Sequence, residues 1–176
     1  MIKLPFGVDI NNLINDLRNL SWHASDTLLD YAQILKDSNG KSNILKNSNY
    51  DDPVTLADLK VNELIIQKIN EKYKGTNWAI LSEENIKLIP YSIDKNLDWE
   101  WVLDPLDGTK DFIQGTSNYA MHLALNYKHK PYIGIVLIPA REELWIADGK
   151  KAWCEKKDGT IIKNNLSIKK SLKELV

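Results

Sequence analysis

Carboxylates follow two successive apolar stretches of the sequence. Glu83 comes just after the apolar run 78–81, and Asp104 and Asp107 come just after the β-prone run 99–103. Carboxylates that are held close together repel one another, and burying them is costly unless a cation neutralises the charge. Oxygen ligands without a cluster of cysteine or histidine favour a hard cation such as Mg²⁺ over zinc. The pattern therefore predicts a magnesium site where the two stretches end.

The segment DPLDGT, which starts at Asp104, also favours a phosphate next to that site. Its two aspartates can hold one ion from both sides, with the carbonyl of Leu106 as a further oxygen ligand. Gly108 and Thr109 are predicted to open a helical turn, whose free amides and positive end suit a phosphate. An ordinary turn is the simpler interpretation, since proline and glycine are both typical of turns. A magnesium ion beside a phosphate would indicate phosphoryl chemistry.

A further acidic candidate, Asp58, stands at the start of a predicted helix. Thr55 and Asp58 match the capping box, in which the threonine accepts from a helix amide and the acid reaches back. Taken alone, that cap explains Asp58, just as a solvated loop explains Glu83 and Glu84. Neither explanation accounts for carboxylates at the ends of two successive apolar strands. The combination therefore favours a site.

Apolar residues at helical spacing predict the helices that lie before these strands. One long amphipathic helix is expected from Asp9 to about Lys36, and a second from about Leu56 to Tyr73, ended by Gly75. Four residues of the second helix should face inward: Leu59, Leu64, Ile65 and Ile69. The polar stretch between the helices, residues 37–52, is predicted to be a mobile loop.

After Gly75 the apolar residues recur with the two-residue period of β-strands. Strands are expected at 78–81, 99–103, 118–127, 132–138 and about 143–147. One face of the third strand should carry Tyr119, Met121, Leu123 and Leu125. Two Asp-Gly pairs, at 148–149 and 158–159, are hairpin signals. Two helices followed by mostly antiparallel strands predict an α+β fold, with two helices packed on a mostly antiparallel sheet.

Composition excludes several classes of protein. The 176 residues suit one domain that can bury a core. The net charge of −1, without a long basic run, argues against a nucleic-acid polymer as partner. No stretch reaches membrane-spanning length, so no membrane partner is expected. The single cysteine, Cys154, fits a reducing compartment, and the cytoplasm is the expected location.

Three motifs in this order resemble the inositol monophosphatase superfamily of lithium-sensitive, magnesium-dependent phosphatases. They are PVTLAD at 53–58, SEE at 82–84 and DPLDGT at 104–109, and both their order and their intervals match. The longer segments LSEE and GTKDF look most like the bacterial 3'(2'),5'-bisphosphate nucleotidases. Inositol monophosphatases more often carry Gly-Glu-Glu and Asp-Gly-Thr-Thr-Asn-Phe there. That branch removes the 3'-phosphate from 3'-phosphoadenosine 5'-phosphate, a by-product of sulfate assimilation, and leaves AMP.

The resemblance implies a fold like that of the inositol phosphatases and a site with two or three Mg²⁺ ions, inhibited by Li⁺. Glu83, Asp104 and the carbonyl of Leu106 would hold one ion, and Asp104 with Asp107 a second. Glu84 would support these ligands from behind. In such a two-metal site the ions activate the nucleophile and stabilise the charge on the leaving oxygen.

The same resemblance implies the remaining roles. Asp58 and Thr109 would orient and deprotonate the attacking water. The backbone amides of Gly108 and Thr109 would bind the phosphate, and Lys110 is a candidate contact for a substrate phosphate. The substrate would be a small phosphorylated nucleotide or sugar.

These phosphatases have a second, C-terminal domain of comparable size, whose Trp-Asp motif completes the second metal site. The sequence contains no Trp-Asp pair, although Asp98 and Trp99 stand in the reverse order. Residues 1–176 are therefore expected to be the N-terminal metal- and phosphate-binding domain, with the C-terminal domain absent and activity impaired. Inositol monophosphatase activity and a non-catalytic metal- or nucleotide-binding domain are the alternatives. An exposed face where the second domain packs could make the chain a homo-oligomer.

Several other residues are assigned structural roles. The six tryptophans fall mostly in apolar strand patterns, so core packing is favoured over base stacking. His23, His122 and His129 show no metal-ligand spacing. His122 lies opposite the apolar face of its strand and could approach a site, but a partly exposed structural histidine is the favoured interpretation. Cys154 is expected to be a small buried or edge-strand residue without reactive chemistry.

Overall fold

A computed structural model of the chain describes residues 2–37, 55–86 and 97–163. Helix α1 (Ile10–Lys36) begins at Asp9, whose carboxylate accepts from the backbone amides of Asn11 and Asn12. Such a cap satisfies amides that have no partner inside the helix. The buried residues recur at helical spacing along one face: Leu13, Leu17, Leu20, Ala24 and Leu28. The predicted long helix is confirmed.

Helix α2 (Leu56–Lys72) packs beside α1 and ends close to the predicted position. Its fully buried stripe repeats every four residues: Ala57, Val61, Ile65 and Ile69. Leu59 and Leu64, which were predicted to face inward, are only half-buried. The reason is that residues four apart lie on one face of a helix, and these two leucines flank that stripe. At its end, Lys72 and Tyr73 both contact the Asp16 carboxylate on α1.

Within the described residues, the strands form a single seven-stranded sheet in chain order. They are β1 (Ala79–Ser82), β2 (Trp99–Asp107), β3 (Ala120–Tyr127), β4 (Lys130–Ile138), β5 (Glu143–Ala147), β6 (Ala152–Glu155) and β7 (Ile161–Lys163). Two short helices, α3 (Glu83–Ile86) and α4 (Thr109–Gln114), follow β1 and β2, and a 3₁₀ turn (Pro139–Arg141) follows β4. Strands β1 and β2 are parallel, and every other pair is antiparallel. The predicted α+β arrangement is confirmed.

One face of the sheet is buried against the two long helices. On β3 the buried side chains alternate, as predicted, with Met121, Leu123 and Leu125 on that face. Trp101 and Leu103 on β2 join them in register. Burying a side chain of this size contributes roughly 1.5–3 kcal/mol. The predicted core role also holds for four tryptophans, namely Trp22, Trp99, Trp101 and Trp153, while Trp78 and Trp145 are half-buried.

Strand β2 runs further than the sequence predicted, because it continues past Leu103 to Asp107. Asp104 pairs with His122 and Asp107 with Ala120, so three steps along β2 match two along β3. The extra residue makes a β-bulge next to Pro105, which has no backbone N–H for the ladder. The carboxylates at 104 and 107 therefore lie at the end of a strand and not in a separate turn.

Both predicted Asp-Gly hairpin signals lie in turns. At the first, the Asp148 amide donates to the Lys151 carbonyl at 3.1 Å, and Gly149 has a φ of 79°. At the second, the Lys156 amide donates to the Thr160 carbonyl at 2.8 Å. None of the described helices combines the length and apolar character needed to cross a bilayer. The predicted loop at 37–52, apart from Asp37, and the first two residues of the PVTLAD motif lie outside the described residues.

Candidate active site

The parallel pairing of β1 and β2 places two acidic groups side by side. Ser82 at the end of β1 stands opposite Leu103 on β2. The next residues along the two chains are Glu83, the first residue of α3, and Asp104. Because parallel strands end at the same edge of a sheet, both carboxylates emerge there together. Glu83 is exposed, whereas Glu84 turns inward and is buried, as its predicted supporting role requires.

The Asp104 carboxyl group is in direct contact with that of Glu83. Burial raises the pKa of Asp104 to about 7, and the Glu83 charge and a hydrogen bond with Glu83 contribute to the same shift. The backbone amide of Leu106 donates to Asp104 Oδ1 at 3.2 Å, which opposes the shift only in part. Two carboxylates in contact cannot both ionise readily without a cation. A cation bound between them would therefore favour the ionised form of both groups.

Asp107 stands apart from this pair. Its side chain is 60% exposed, and its Oδ2 lies 4.0 Å from His122 Nε2. Its charge still contributes to the raised pKa of Asp104. Within the described ranges, no three His, Cys, Asp or Glu side chains form a group that could hold a metal ion. The structure thus brings together two of the three predicted acidic ligands, and the bulge at the end of β2 separates the third.

Asp58 forms the predicted cap and also contacts Thr109, while its predicted catalytic role stays a prediction. Its Oδ2 accepts from the Thr55 backbone amide at 2.8 Å and from the Thr55 hydroxyl, while Thr55 accepts from the Ala57 and Asp58 amides. This is the complete capping box. Its Oδ1 faces the Thr109 hydroxyl at 3.3 Å, across 51 residues of sequence. One carboxylate therefore caps α2 with one oxygen and contacts the start of α4 with the other.

The surroundings of Asp58 make it a stronger base than an exposed aspartate. Its side chain is only 3% exposed. Burial raises the pKa of Asp58, although the hydrogen bonds from Thr55 and Thr109 oppose that shift. The Thr109 hydroxyl also lies 3.0 Å from the Leu106 carbonyl, so its single hydrogen has two acceptors within reach. That carbonyl keeps a second lone pair that a cation could use.

Gly108 is required by its backbone conformation and by its neighbours. It precedes α4 with a φ of 87°, and a Cβ added there would lie 2.4 Å from the Asn118 carbonyl oxygen. No residue with a side chain fits both constraints. The predicted helical turn at Gly108 and Thr109 is confirmed as α4, which Phe112 anchors in the core. Lys110 is exposed in its first turn, and its phosphate contact stays a prediction.

The donor set at this edge fits a hard cation. Glu83, Asp104 and Asp107 offer carboxylate oxygens and Leu106 a carbonyl oxygen, all of the kind that Mg²⁺ prefers. A cation at the Glu83–Asp104 contact would also relieve the repulsion that raises the pKa of Asp104. These are the residues that would hold the ion.

His122, for which the sequence favoured a structural role, lies at the site. It is the cross-strand neighbour of Asp104 and, with Glu83 and Asp104, lines a cleft of about 600 Å³. The alternation of apolar residues along β3 correctly predicted that His122 points away from the core. Which residue of β2 it would face depends on strand register, and nothing local in the sequence specifies that register.

Comparison with known proteins decides the family. The model of the inositol monophosphatase family matches residues 9–175. The chain belongs to the inositol monophosphatase family. The resemblance carried by its three acidic motifs is thereby confirmed over almost the whole sequence.

Individual members of the inositol monophosphatase family match over part of their length. The 3'(2'),5'-bisphosphate nucleotidase CysQ of Salmonella typhimurium is 33% identical over 107 residues, which is 60% of this chain and 41% of that protein. The Nus factor SuhB of Pasteurella multocida is 36% identical over 103 residues, 58% of this chain and 36% of that protein. The crystal structure of SuhB from Bartonella henselae has a TM-score of 0.66 at 24% identity, covering 81% of this chain and 52% of that one.

Three points follow for this member of the inositol monophosphatase family. The chain spans about half, or less, of the length of these relatives. The likeness to the solved structure shows the fold alone. Identity to a CysQ and to a SuhB is nearly equal, so it does not separate the branches of the family.

Proposed function

We propose that the chain is the N-terminal, metal- and phosphate-binding domain of a Mg²⁺-dependent phosphomonoesterase of the 3'(2'),5'-bisphosphate nucleotidase type. The reaction would convert 3'-phosphoadenosine 5'-phosphate into AMP and phosphate. The observation that carries the proposal is the contact between Glu83 and Asp104 at the shared end of β1 and β2, with the raised pKa of Asp104. Family membership and the similarity to CysQ proteins support it.

In this proposal Glu83, Asp104 and the Leu106 carbonyl hold one cation, and Asp107 with Asp104 helps to hold a second. A bound Mg²⁺ would polarise a phosphoryl oxygen and lower the pKa of a coordinated water toward neutrality. The residues of the chain then need only position the groups and move one proton. The oxygen-only ligand set and the raised pKa of Asp104, which is buried beside Glu83, support this assignment.

Proton movement is assigned to Asp58 and Thr109. The Thr109 hydroxyl can donate to Asp58 Oδ1 at 3.3 Å, which leaves the lone pairs of the threonine oxygen free to accept from a water. Asp58 would take the proton through that hydroxyl. Its burial, which raises the pKa of Asp58, moves it toward the range where a general base works best.

The phosphate is assigned to the chain just after Asp107. The backbone amides of Gly108 and Thr109 would donate to its oxygens, and the exposed Lys110 would add a positive charge. The left-handed conformation of Gly108, with a φ of 87°, supports this because it turns the chain sharply between the carboxylates and α4. A small phosphorylated nucleotide or sugar fits this arrangement. The net charge of −1 does not suit a nucleic-acid polymer.

Two rival functions have specific support. Inositol monophosphatase activity is the nearer rival, because identity to CysQ and to SuhB is nearly equal. A non-catalytic domain that binds metal or nucleotide is the other. The position of Asp107, whose side chain is 60% exposed, supports that one because it offers the second ion a weakly enclosed ligand. The cytoplasmic location, which rests on the single buried cysteine, Cys154, is part of the proposal.

The test is Mg²⁺-dependent phosphate release. We would assay the 176-residue chain, and a chimaera that continues after Lys163 with the C-terminal half of a CysQ relative, on three substrates: 3'-phosphoadenosine 5'-phosphate, inositol 1-phosphate and fructose 1,6-bisphosphate. The proposal expects little or no release by the chain alone and release by the chimaera, fastest with the nucleotide. Normal turnover by the chain alone would refute the proposed impairment.

The chimaera also separates the rivals. A preference for inositol 1-phosphate, shown even with an added half from a nucleotidase, would favour the inositol phosphatase alternative. A chimaera that binds Mg²⁺ and nucleotide in calorimetry, yet releases no phosphate from any substrate, would favour the non-catalytic alternative. A chimaera carrying Asp104→Asn serves as the inactive control.

A further inference from the structure

His122 occupies a position between two of the acidic groups at the end of β2. It stands directly opposite Asp104 in the β2–β3 register, and its Nε2 is 4.0 Å from Asp107 Oδ2. Directly paired residues of an antiparallel sheet project to the same face. The imidazole therefore lies on the face that carries Asp104, and its tip reaches toward Asp107 across the bulge.

The other groups around His122 are either apolar or acidic. Val136 faces it from β4, and Trp145 on β5 follows in the same row. The polar groups among the described residues that share its cleft are Glu83 and Asp104, both acidic. An imidazole with one N–H to donate, placed among carboxylates and apolar side chains, has a carboxylate as its natural acceptor. Its 44% exposed side chain leaves room for the small rotation that closes 4.0 Å to a hydrogen bond.

We propose that His122 is a positioning residue of this site, whose Nε2–H holds the Asp107 carboxylate in the orientation that directs its other oxygen toward the Glu83–Asp104 pair. The inference rests on the proposed function, because it gives Asp107 a cation to bind. It addresses the one acidic ligand that the bulge leaves exposed and apart. A carboxylate with one oxygen fixed by a hydrogen bond has its second oxygen aimed, whereas a free one rotates.

Residues that hydrogen-bond to metal-binding carboxylates have a measurable effect on metal binding. Losing one typically costs about 10–100-fold in metal affinity or activity. A residue that served only to fill the sheet face would affect folding stability and leave metal affinity unchanged. Metal affinity and folding stability therefore separate the two roles.

The experiment is a Mn²⁺ titration of the complete 176-residue chain, followed by electron paramagnetic resonance, with thermal unfolding measured in parallel. His122→Leu removes the donor, and His122→Gln keeps an N–H near the position of Nε2. His23→Leu, on the exposed side of α1, controls for the loss of a histidine elsewhere. We expect His122→Leu to weaken Mn²⁺ binding about 10-fold or more, with His122→Gln and His23→Leu within about 3-fold of the wild type.

The possible results distinguish a failure of the inference from a failure of the proposed function. If His122→Leu binds Mn²⁺ as tightly as the wild type, the inference is overturned while the metal site stands. If the Gln variant is as weak as the Leu variant, a donor at this position is not what matters and the inference also falls. If the wild-type chain itself binds no Mn²⁺, the proposed function fails, and the inference fails with it for that separate reason.

Discussion

At Asp104, the burial of a single side chain and its contact with Glu83 act together. A neutral carboxyl group there is compatible with folding but is a poor cation ligand. An ionised one binds a cation but repels Glu83, and this conflict, together with burial, raises the pKa of Asp104 to about 7. In protein without metal, ionisation of Asp104 therefore opposes folding.

This conflict predicts the pH dependence of stability for the metal-free chain. The folded pKa of Asp104, about 7, exceeds the ordinary value of 3.8, so the folded state binds more protons than the unfolded state between these values. The stabilising contribution is therefore complete below the lower value and is lost as the pH rises through the upper one. Allowing for solvent screening of a half-buried group, we expect a loss of about 1 kcal/mol between pH 5 and pH 8.

Urea denaturation in EDTA, at both pH values, measures this loss. Asp104→Asn keeps the shape of the side chain but cannot ionise, so its share of the pH dependence should disappear. Glu63→Gln is the control, because Glu63 is an exposed helix residue paired with Lys60. Equal pH dependence in the wild type and in Asp104→Asn would show that Asp104 is not the group that opposes folding.

At the scale of elements, the site is assembled by the bulge of β2 and the turn into α4. Gly108 links them, with a φ of 87° and the Asn118 carbonyl packed against its Cα. Gly115, at the other end of α4, has a similar φ of 77°, but no described atom lies within 4 Å of the place where its Cβ would be. The two glycines share the left-handed conformation, which glycine adopts without strain, and differ in packing.

This difference gives a matched pair of variants. Gly115→Ala should cost about 1–2 kcal/mol of unfolding free energy, the strain of a left-handed residue with a side chain. Gly108→Ala should cost at least about 1 kcal/mol more, since the backbone at Asn118 must also move. Denaturant unfolding of both variants measures the difference. Equal losses of unfolding free energy would mean that the contact with Asn118 does not contribute to the cost of Gly108→Ala.

The helices and strands could be predicted from the sequence, but the register between neighbouring strands could not. Leu13 to Leu28 on α1 and Met121 to Leu125 on β3 lie in local patterns of period 3.6 and 2, which is why the helices, the strands and the α+β class were predicted. The bulge beyond Asp104 depends on how β2 pairs with β3, and no local pattern reports that. The same gap explains why the exposed position of Asp107 and the place of His122 opposite Asp104 were not predicted.

At the scale of the molecule, the sheet has one face under helices and one face with small, half-buried side chains. On the second face Val102, Ala124, Gly134 and Ala147 lie in one row across four strands, with Val136 beside them. Apolar faces of this kind promote association when they meet water. We therefore expect the 176-residue chain to self-associate as its concentration rises.

Light scattering coupled to size-exclusion chromatography tests this expectation. Val136→Glu places a charge in the centre of the face and should shift the chain toward the monomer. Gln67→Glu, on the exposed side of α2, adds the same charge away from it and should change nothing. A chain that stays monomeric at every concentration would refute the expected association.

A Mn²⁺ titration of single variants shows whether Glu83 and Asp104 bind one divalent cation together. We expect the wild-type chain to bind Mn²⁺, and Glu83→Gln and Asp104→Asn each to weaken binding about 10-fold or more, because each removes one charged ligand. The control Glu63→Gln should bind like the wild type. Binding that is equally tight in all four proteins, or absent from the wild type, would show that Glu83 and Asp104 do not bind a cation together.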